Sequence, residues 1–203
     1  MFFFYEFSAL SHYKLPISSL FAPQFLDEDF KVQSFIRRDF YILNRYGFGI
    51  SYQRIGIFWY SLNVEDEFIN TISLGMNIYS AGLNAVFLYP NQISFGIGFE
   101  RTFSNFHICG YTTYGYLNFS YICAFSEYKG SVTGFEVFLQ ENYDLEYKFF
   151  LNYKINEYSN FYLAFGTNSN GFTIGYKYKF LKLNYFYHSY LGDSFGVAII
   201  YER

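Results

Sequence analysis

The residues of this chain that could do chemistry are few and scattered. Its three histidines, His12, His107 and His188, lie far apart, and neither a His-x-x-x-His spacing nor a paired-cysteine spacing is there to hold a metal. A Gly-x-Ser-x-Gly elbow and a phosphate-binding loop are likewise absent from the sequence. His188 and Ser189 are neighbours, but adjacent residues of a strand leave on opposite faces, so they cannot form a dyad and His188 reads as structural. What remains is a set of charges: Glu100, Glu136, Asp144, Glu146, Lys148, Lys154, Lys177, Lys179 and Lys182. On one enclosed face, together with His188, they would either neutralise one another as salt bridges or line a narrow polar path. Acidic and basic members fall on neighbouring expected strands, which favours the mutually paired interior. None of this requires a cofactor or a metal, and the expectation is a protein that is not an enzyme.

The elements that position these charges are set by a two-residue beat. Ile72, Leu74, Met76 and Ile78 alternate with Thr71, Ser73, Gly75 and Asn77, the period at which side chains leave a β-strand on opposite sides. Tyr46, Phe48, Ile50 and Tyr52 repeat it, as do Ile93, Phe95, Ile97 and Phe99, then Leu117, Phe119, Tyr121, Cys123 and Phe125. In Tyr143, Leu145, Tyr147, Phe149, Leu151 and Tyr153 the intervening face carries charges of both signs. Phe172, Ile174, Tyr176, Tyr178 and Phe180 follow, and the chain closes on Phe195, Val197, Ile199 and Tyr201. Residues 1–33 lack the beat; Pro16, Pro23 and the acidic Asp27, Glu28 and Asp29 make them an irregular loop, plug or first strand. The barrel is expected over 34–203. Met1–Phe7 has no basic residue and is interrupted by Glu6, so it reads as a strand or as the start of a chain whose leader lies upstream.

Composition narrows the class. The chain has 203 residues, 27% of them aromatic and 15% charged, with a net charge of -3. It is too apolar for disorder and has no basic stripe for nucleic acid. Its apolar runs are too short for a helix of about 20 residues to cross a bilayer, leaving a barrel as the way to span one. Cys109 and Cys123 sit in apolar, strand-like sequence and are expected as buried free thiols. Arg37, Arg38 and the run Glu65, Asp66, Glu67 read as solvated charges.

A soluble β-sandwich alternates as well, but three features favour lipid. The apolar face is dominated by Phe and Tyr, with Tyr near strand ends as at lipid–water interfaces. Gly75, Gly96, Gly98, Gly134, Gly175 and Gly196 fall on the polar face, where they relieve crowding inside a closed barrel. Hairpin follows hairpin through short turns such as Tyr89-Pro90-Asn91 and Leu191-Gly192-Asp193. The expected fold is an all-β, antiparallel, up-and-down transmembrane β-barrel of about 12 strands, within a range of roughly 10 to 14.

The stretches Leu163-Ala-Phe-Gly-Thr-Asn-Ser-Asn-Gly-Phe-Thr-Ile-Gly-Tyr and Leu183-Asn-Tyr-Phe-Tyr-His-Ser-Tyr-Leu-Gly-Asp-Ser-Phe-Gly-Val lie in the last third, from Gly134 onward. This third resembles the C-terminal region of an outer-membrane barrel family that includes PorV and PorQ, relatives of FadL-like barrels. His188, Leu191 and Gly192 fit the family pattern, whereas its N-terminal Asn-Pro-Ala segment is missing. The final alternating strand is also similar to the C-terminal signal of outer-membrane barrels. The resemblance implies a barrel in the outer membrane of a diderm bacterium, in contact with its lipid and acting as an anchor for a periplasmic or surface protein. The residues themselves equally support a narrow channel. The alternative is a soluble β-sandwich or lipocalin-like binder whose aromatic face encloses an apolar ligand.

Overall fold

The computed structural model describes residues 13–39, 43–64, 67–140, 145–166, 171–188 and 192–203. His12, Tyr143, Asp144 and the greater part of the Asn168–Gly171 turn lie outside them. A helical turn, α1 (Ser18–Phe21), and a 3-10 turn at Pro23–Phe25 precede the sheet. The strands are β1 (Lys31–Asp39), β2 (Leu43–Tyr52), β3 (Ile55–Val64), β4 (Glu67–Ile78), β5 (Ala81–Leu88), β6 (Gln92–Phe103) and β7 (Phe106–Gly115). They continue as β8 (Phe119–Tyr128), β9 (Ser131–Gln140), β10 (Leu145–Lys154), β11 (Ser159–Gly166), β12 (Gly171–Tyr178), β13 (Leu181–His188) and β14 (Gly192–Glu202). Each strand pairs antiparallel with its chain neighbour, and β1 closes on β14 through Lys31↔Glu202 to Asp39↔Ser194.

The barrel therefore has fourteen strands rather than about twelve. Two features hide the difference in the sequence. β5, β11, β12 and β13 are eight residues long, below the nine to eleven sought for a tilted membrane strand. Several hairpins also turn on residues without the usual Asn-Gly signature. Gln53 and Arg54 both take positive φ (49° and 66°), as a tight two-residue turn between right-twisted strands requires. Lys179 does the same at 51°, so β12 ends at Tyr178 and Lys179 leaves the lumen face expected for it.

The apolar face points out. Ile72 and Leu74 are 50% and 43% exposed while Ser73 between them is fully buried. The same holds for Phe48, Ile50, Phe95, Ile97, Phe149, Phe195 and Ile199. This excludes the water-soluble alternative, in which the aromatic face would enclose a ligand. A closed ladder with an apolar exterior is a membrane-spanning barrel, since every strand is paired and no edge meets lipid. Tyr52, Tyr128 and Tyr178 close β2, β8 and β12, and Tyr153 and Tyr201 lie one residue before the ends of β10 and β14. All five are exposed at one rim, an interfacial aromatic girdle. We call this the turn end; it also carries the C-terminus and the start of β1.

β8 departs from the expected orientation. Phe119, Tyr121, Cys123 and Phe125 point inward and are buried, while Ile122 faces out at 62% exposure. The reason lies in the lumen, where Phe125 packs edge-on against Phe25 and Tyr13, with ring centroids 5.9 and 5.1 Å away. A fourteen-strand interior is wider than wall side chains alone can fill. No strand-to-strand connection exceeds four residues, so none can fold in to fill it. Residues 15–26 do so instead, with Leu15, Ile17, Leu20, Phe25 and Leu26 buried against Phe58, Tyr60, Val86, Tyr111 and Phe125.

Phe125→Ala should therefore destabilise the folded barrel by about 3–5 kcal/mol. Ile97→Leu on the lipid face should change stability by less than about 1.5 kcal/mol. Urea titration of the refolded protein in micelles, followed by its heat-shifted gel band, measures both.

Candidate functional site

The lumen has two walls of different chemistry. The first, from β3 to β8, seats the N-terminal segment. Gly75 and Gly82 are the floor: a Cβ on Gly75 would strike the Ser19 backbone and one on Gly82 the backbone of Gln24, so the segment can approach this closely only where the wall has no side chains. Wall amides then satisfy the segment's carbonyls. Asn84 Nδ2 donates to Ser19 O (2.9 Å) and Leu20 O (2.8 Å), and its Oδ1 accepts from the Tyr111 hydroxyl (3.0 Å). Asn77 Nδ2 donates to Gln24 O and Leu26 O, both at 2.8 Å. Gln24 Nε2 donates to the Tyr121 hydroxyl (2.8 Å), and the Ser19 and Ser73 hydroxyls share a hydrogen bond. A single-turn helix leaves most of its carbonyls orphaned, and these amides replace the missing partners.

The same wall holds Glu100 and the disulfide. Glu100 Oε1 lies 2.7 Å from His107 Nδ1, whose ring stacks on Phe125 with centroids 4.4 Å apart. Thr102 Oγ1 also contacts Nδ1, at 3.1 Å. Carboxylate and hydroxyl share one ring nitrogen, so the imidazole does not relay a proton between them as a catalytic triad would. Beside this group, Lys14 Nζ is 3.4 Å from Glu127. Burial pushes the Tyr13 hydroxyl up, and the charges of Glu100 and then Glu127 add to the effect, so the phenol stays protonated. Cys109 and Cys123, expected as free thiols, form a disulfide between directly opposed positions of β7 and β8, their Cα atoms 5.1 Å apart. Opposition across a ladder brings two side chains within reach in a way that their sequence context does not reveal.

The second wall, from β9 through β14 to β1, carries the other charges. Glu136 on β9 is the register partner of Lys148 on β10, and Lys148 Nζ lies 3.2 Å from Glu146 Oε2 and 4.3 Å over the Phe138 ring. All three charged residues are buried. Towards the far end Asp39 accepts from Arg37 Nε and is ion-paired with Arg45, with Arg37 also over the Phe186 ring at 5.4 Å. Arg37 is thus a lumen residue and not the solvated charge expected; Arg38, next along β1, faces out and is exposed. Towards the turn end a cavity of about 530 Å³ opens among Lys14, Asp27, Asp29, Lys31, Glu127, Lys154, Lys177, Lys182 and Glu202. Lys31 pairs with Asp27 and Asp29, and Lys177 Nζ lies 2.9 Å from Glu202 Oε1. Lys182 is buried, its Nζ 4.5 Å over the Tyr162 ring.

Of the residues singled out in the sequence, Glu136, Glu146 and Lys148 form one cluster, Lys154, Lys177 and Lys182 line the turn-end cavity, and Glu100 sits across the lumen beside His107. Lys179 stands outside, exposed in its turn. His188 ends β13, and Asp144 is outside the described residues. The sequence reading missed Arg37, Asp39 and Arg45, and also Lys14, Asp27, Lys31 and Glu127. Arg45 is the residue that parity could have found, since it shares a face with Gly47, Gly49 and Ser51. Among the described residues no group of three or more His, Cys, Asp or Glu side chains could hold a metal.

No protein-family model matches the chain, and no curated protein matches it either. Solved structures do. The outer membrane protein Omp33 of Acinetobacter baumannii aligns with a TM-score of 0.63 at 10% identity, covering 88% of this chain and 99% of that one. A triple mutant of the Rhodopseudomonas blastica porin aligns with a TM-score of 0.51 at 8% identity, covering 86% of this chain and 99% of that one. At these identities the likeness is one of fold, and the fold is that of an outer-membrane β-barrel.

Lys148→Met would leave Glu136 and Glu146 adjacent and buried without the ammonium between them. It should cost about 3–5 kcal/mol, and adding Glu146→Gln should recover a large part of the loss. Urea midpoints of the single and double variants, compared in one detergent, read the coupling.

Proposed function

We propose that this chain is a non-enzymatic channel of the outer membrane that passes small solutes along the half of its lumen that the N-terminal segment leaves polar. The division of the lumen carries this reading. Residues 15–26 pack mainly against β3–β8, whereas β9–β14 and β1 carry the greater part of the buried charges among apolar side chains such as Phe150 and Ile200, with the cavity at the turn end. Beside Tyr162 the wall is small, with Gly175, Asn184 and Gly196 in its row, and the next row carries Ala164, Thr173 and Ser194 around the buried Phe186. The fold likeness to a porin supports a channel of the same general kind. A barrel so filled conducts weakly, because the constriction is a fixed part of the chain.

The anchor reading draws on the PorV-like final third and predicts co-purification with a periplasmic or surface protein in place of conductance.

In planar bilayers the wild-type chain should give small, discrete currents. Gly82→Val, which removes the seat of Gln24, should raise the conductance several-fold while keeping the heat-shifted band of a folded barrel. Lys177→Glu should shift ion selectivity towards cations, and Lys179→Glu, in the exposed turn, should leave it unchanged. Silence from both wild type and Gly82→Val would overturn the channel.

A further inference from the structure

The outside of the barrel carries few basic residues, and they gather at one end. Of those directed away from the lumen, Arg38 alone stands at the far end, whereas Arg54, Arg101, Lys129, Lys179 and Arg203 stand at the turn end. Four of these cations are laid over exposed rings. Arg54 lies 5.1 Å from the Tyr79 centroid and Arg101 5.3 Å from that of Phe103. Lys129 lies 5.2 Å from Tyr128, and Lys179 5.5 Å from Tyr178 and 5.8 Å from Tyr158. Tyr128 and Tyr178 belong to the interfacial girdle, so the rings sit at the edge of the hydrocarbon and the charges over them reach headgroup depth.

Arg101 is the most telling of the four. The outward row of β6 is Phe95, Ile97, Phe99, Arg101 and Phe103, all exposed, and the register partner of Arg101 on β7, Ile108, also faces out. A guanidinium therefore interrupts an apolar, lipid-facing row, a placement that lipid tolerates near the interface and penalises at the midplane. Glu100 N donates to Ser80 O at 2.8 Å, which sets Arg101 beside the Tyr79–Ser80 turn that Arg54 covers from the other side. The acids of this end are engaged elsewhere: Asp27 and Asp29 with Lys31, Glu28 with Arg54, Glu127 with Lys14 and Glu202 with Lys177. Glu157 is exposed in the connection after β10. Among the described residues no carboxylate is ion-paired with Arg101, Lys129 or Lys179.

We propose that the turn-end belt of Arg54, Arg101, Lys129 and Lys179 is a docking surface for the phosphate headgroups of an anionic phospholipid. Arg101 takes one phosphate in the fork of its guanidinium, and the acyl chains of that lipid lie along Phe99, Phe103 and Ile108. Charge complementarity selects the occupant. A zwitterionic headgroup brings its own cation to its phosphate, whereas an anionic one supplies the counter-charge that the acids of the barrel do not. The far end, with Arg38 alone, has no comparable surface, so the belt favours an orientation with the turn end in an anionic leaflet. The surface lies outside the lumen and is occupied whether or not the barrel conducts.

Electron paramagnetic resonance of the full chain in dioleoylphosphatidylcholine vesicles at low salt tests this. A trace of spin-labelled phosphatidylglycerol or of spin-labelled phosphatidylcholine reports how strongly each lipid associates with the protein. Wild type should prefer the phosphatidylglycerol label several-fold. Arg101→Gln should reduce that preference, and replacing all four basic residues by Gln should bring the two labels to parity. Lys177→Gln, which removes a charge from the lumen, should leave the preference as it was. If the fourfold variant loses the heat-shifted band of a folded barrel, Arg101→Gln with Lys129→Gln serves in its place and should roughly halve the preference. Equal association of both labels with wild type would overturn the lipid surface and leave the belt to an acidic protein face. A preference that survives loss of the four charges, or that falls as far in Lys177→Gln, would overturn it as well.

Discussion

The structure depends on one constraint: in lipid, no backbone N–H or C=O can be left without a partner. Antiparallel hairpins meet it locally, and the pairing of β1 with β14 meets it globally by removing the last edge. Closure at fourteen strands then creates a second requirement, because the enclosed space exceeds what wall side chains reach across. Short connections at both ends rule out a folded-in loop, so residues 15–26 enter the lumen. Glycine at 75 and 82 and the amides of Asn77 and Asn84 follow from that entry: the first let an irregular backbone lie close, and the second satisfy its carbonyls.

The lumen obeys different rules from either a soluble core or the lipid face. Buried charges are tolerated when each has a partner held at the right distance, and the wall supplies such partners by register. Lys148 meets Glu136 across one ladder and Glu146 along its own strand; Asp39 sits between two arginines from adjacent strands. These arrangements are costly to break from one side, because removing one partner leaves the other desolvated. Lys177 and Lys182 face one another across β12 and β13 where the lumen opens into a cavity.

Much of this was legible in the alternation itself. Period two, tyrosine near strand ends and glycine on the polar face together point to a barrel in lipid, and the exterior carries Ile72, Leu74, Phe95 and Phe195 as they imply. Alternation separates two faces without saying which is inside. In β8 one face is aromatic and the other holds Ser120, Ile122, Ala124 and Ser126, so the orientation is decided by the plug against which Phe125 packs. The plug has no periodic signature of its own. Strand number was blurred by eight-residue strands and by turns on Gln53-Arg54, where positive φ is imposed by the hairpin and not announced by glycine. The bridge between Cys109 and Cys123 and the Lys148–Glu136 pair both depend on register, a property of two strands together that neither strand carries alone.

Register also explains how one repeating pattern makes two unlike walls. Every strand contributes an inward face of alternate residues, but β3 to β8 use theirs largely for aromatic, glycine and amide positions, and β9 to β14 add the buried charges Glu136, Glu146, Lys148 and Lys182 among apolar residues such as Phe138, Phe150 and Phe186. A plug that needed to fill the whole lumen would require apolar partners all the way round, and a barrel that needed no plug would have no use for the glycine floor. The asymmetry is consistent with neither. It fits a lumen in which one half holds the N-terminal segment and the other carries most of the buried charges beside it.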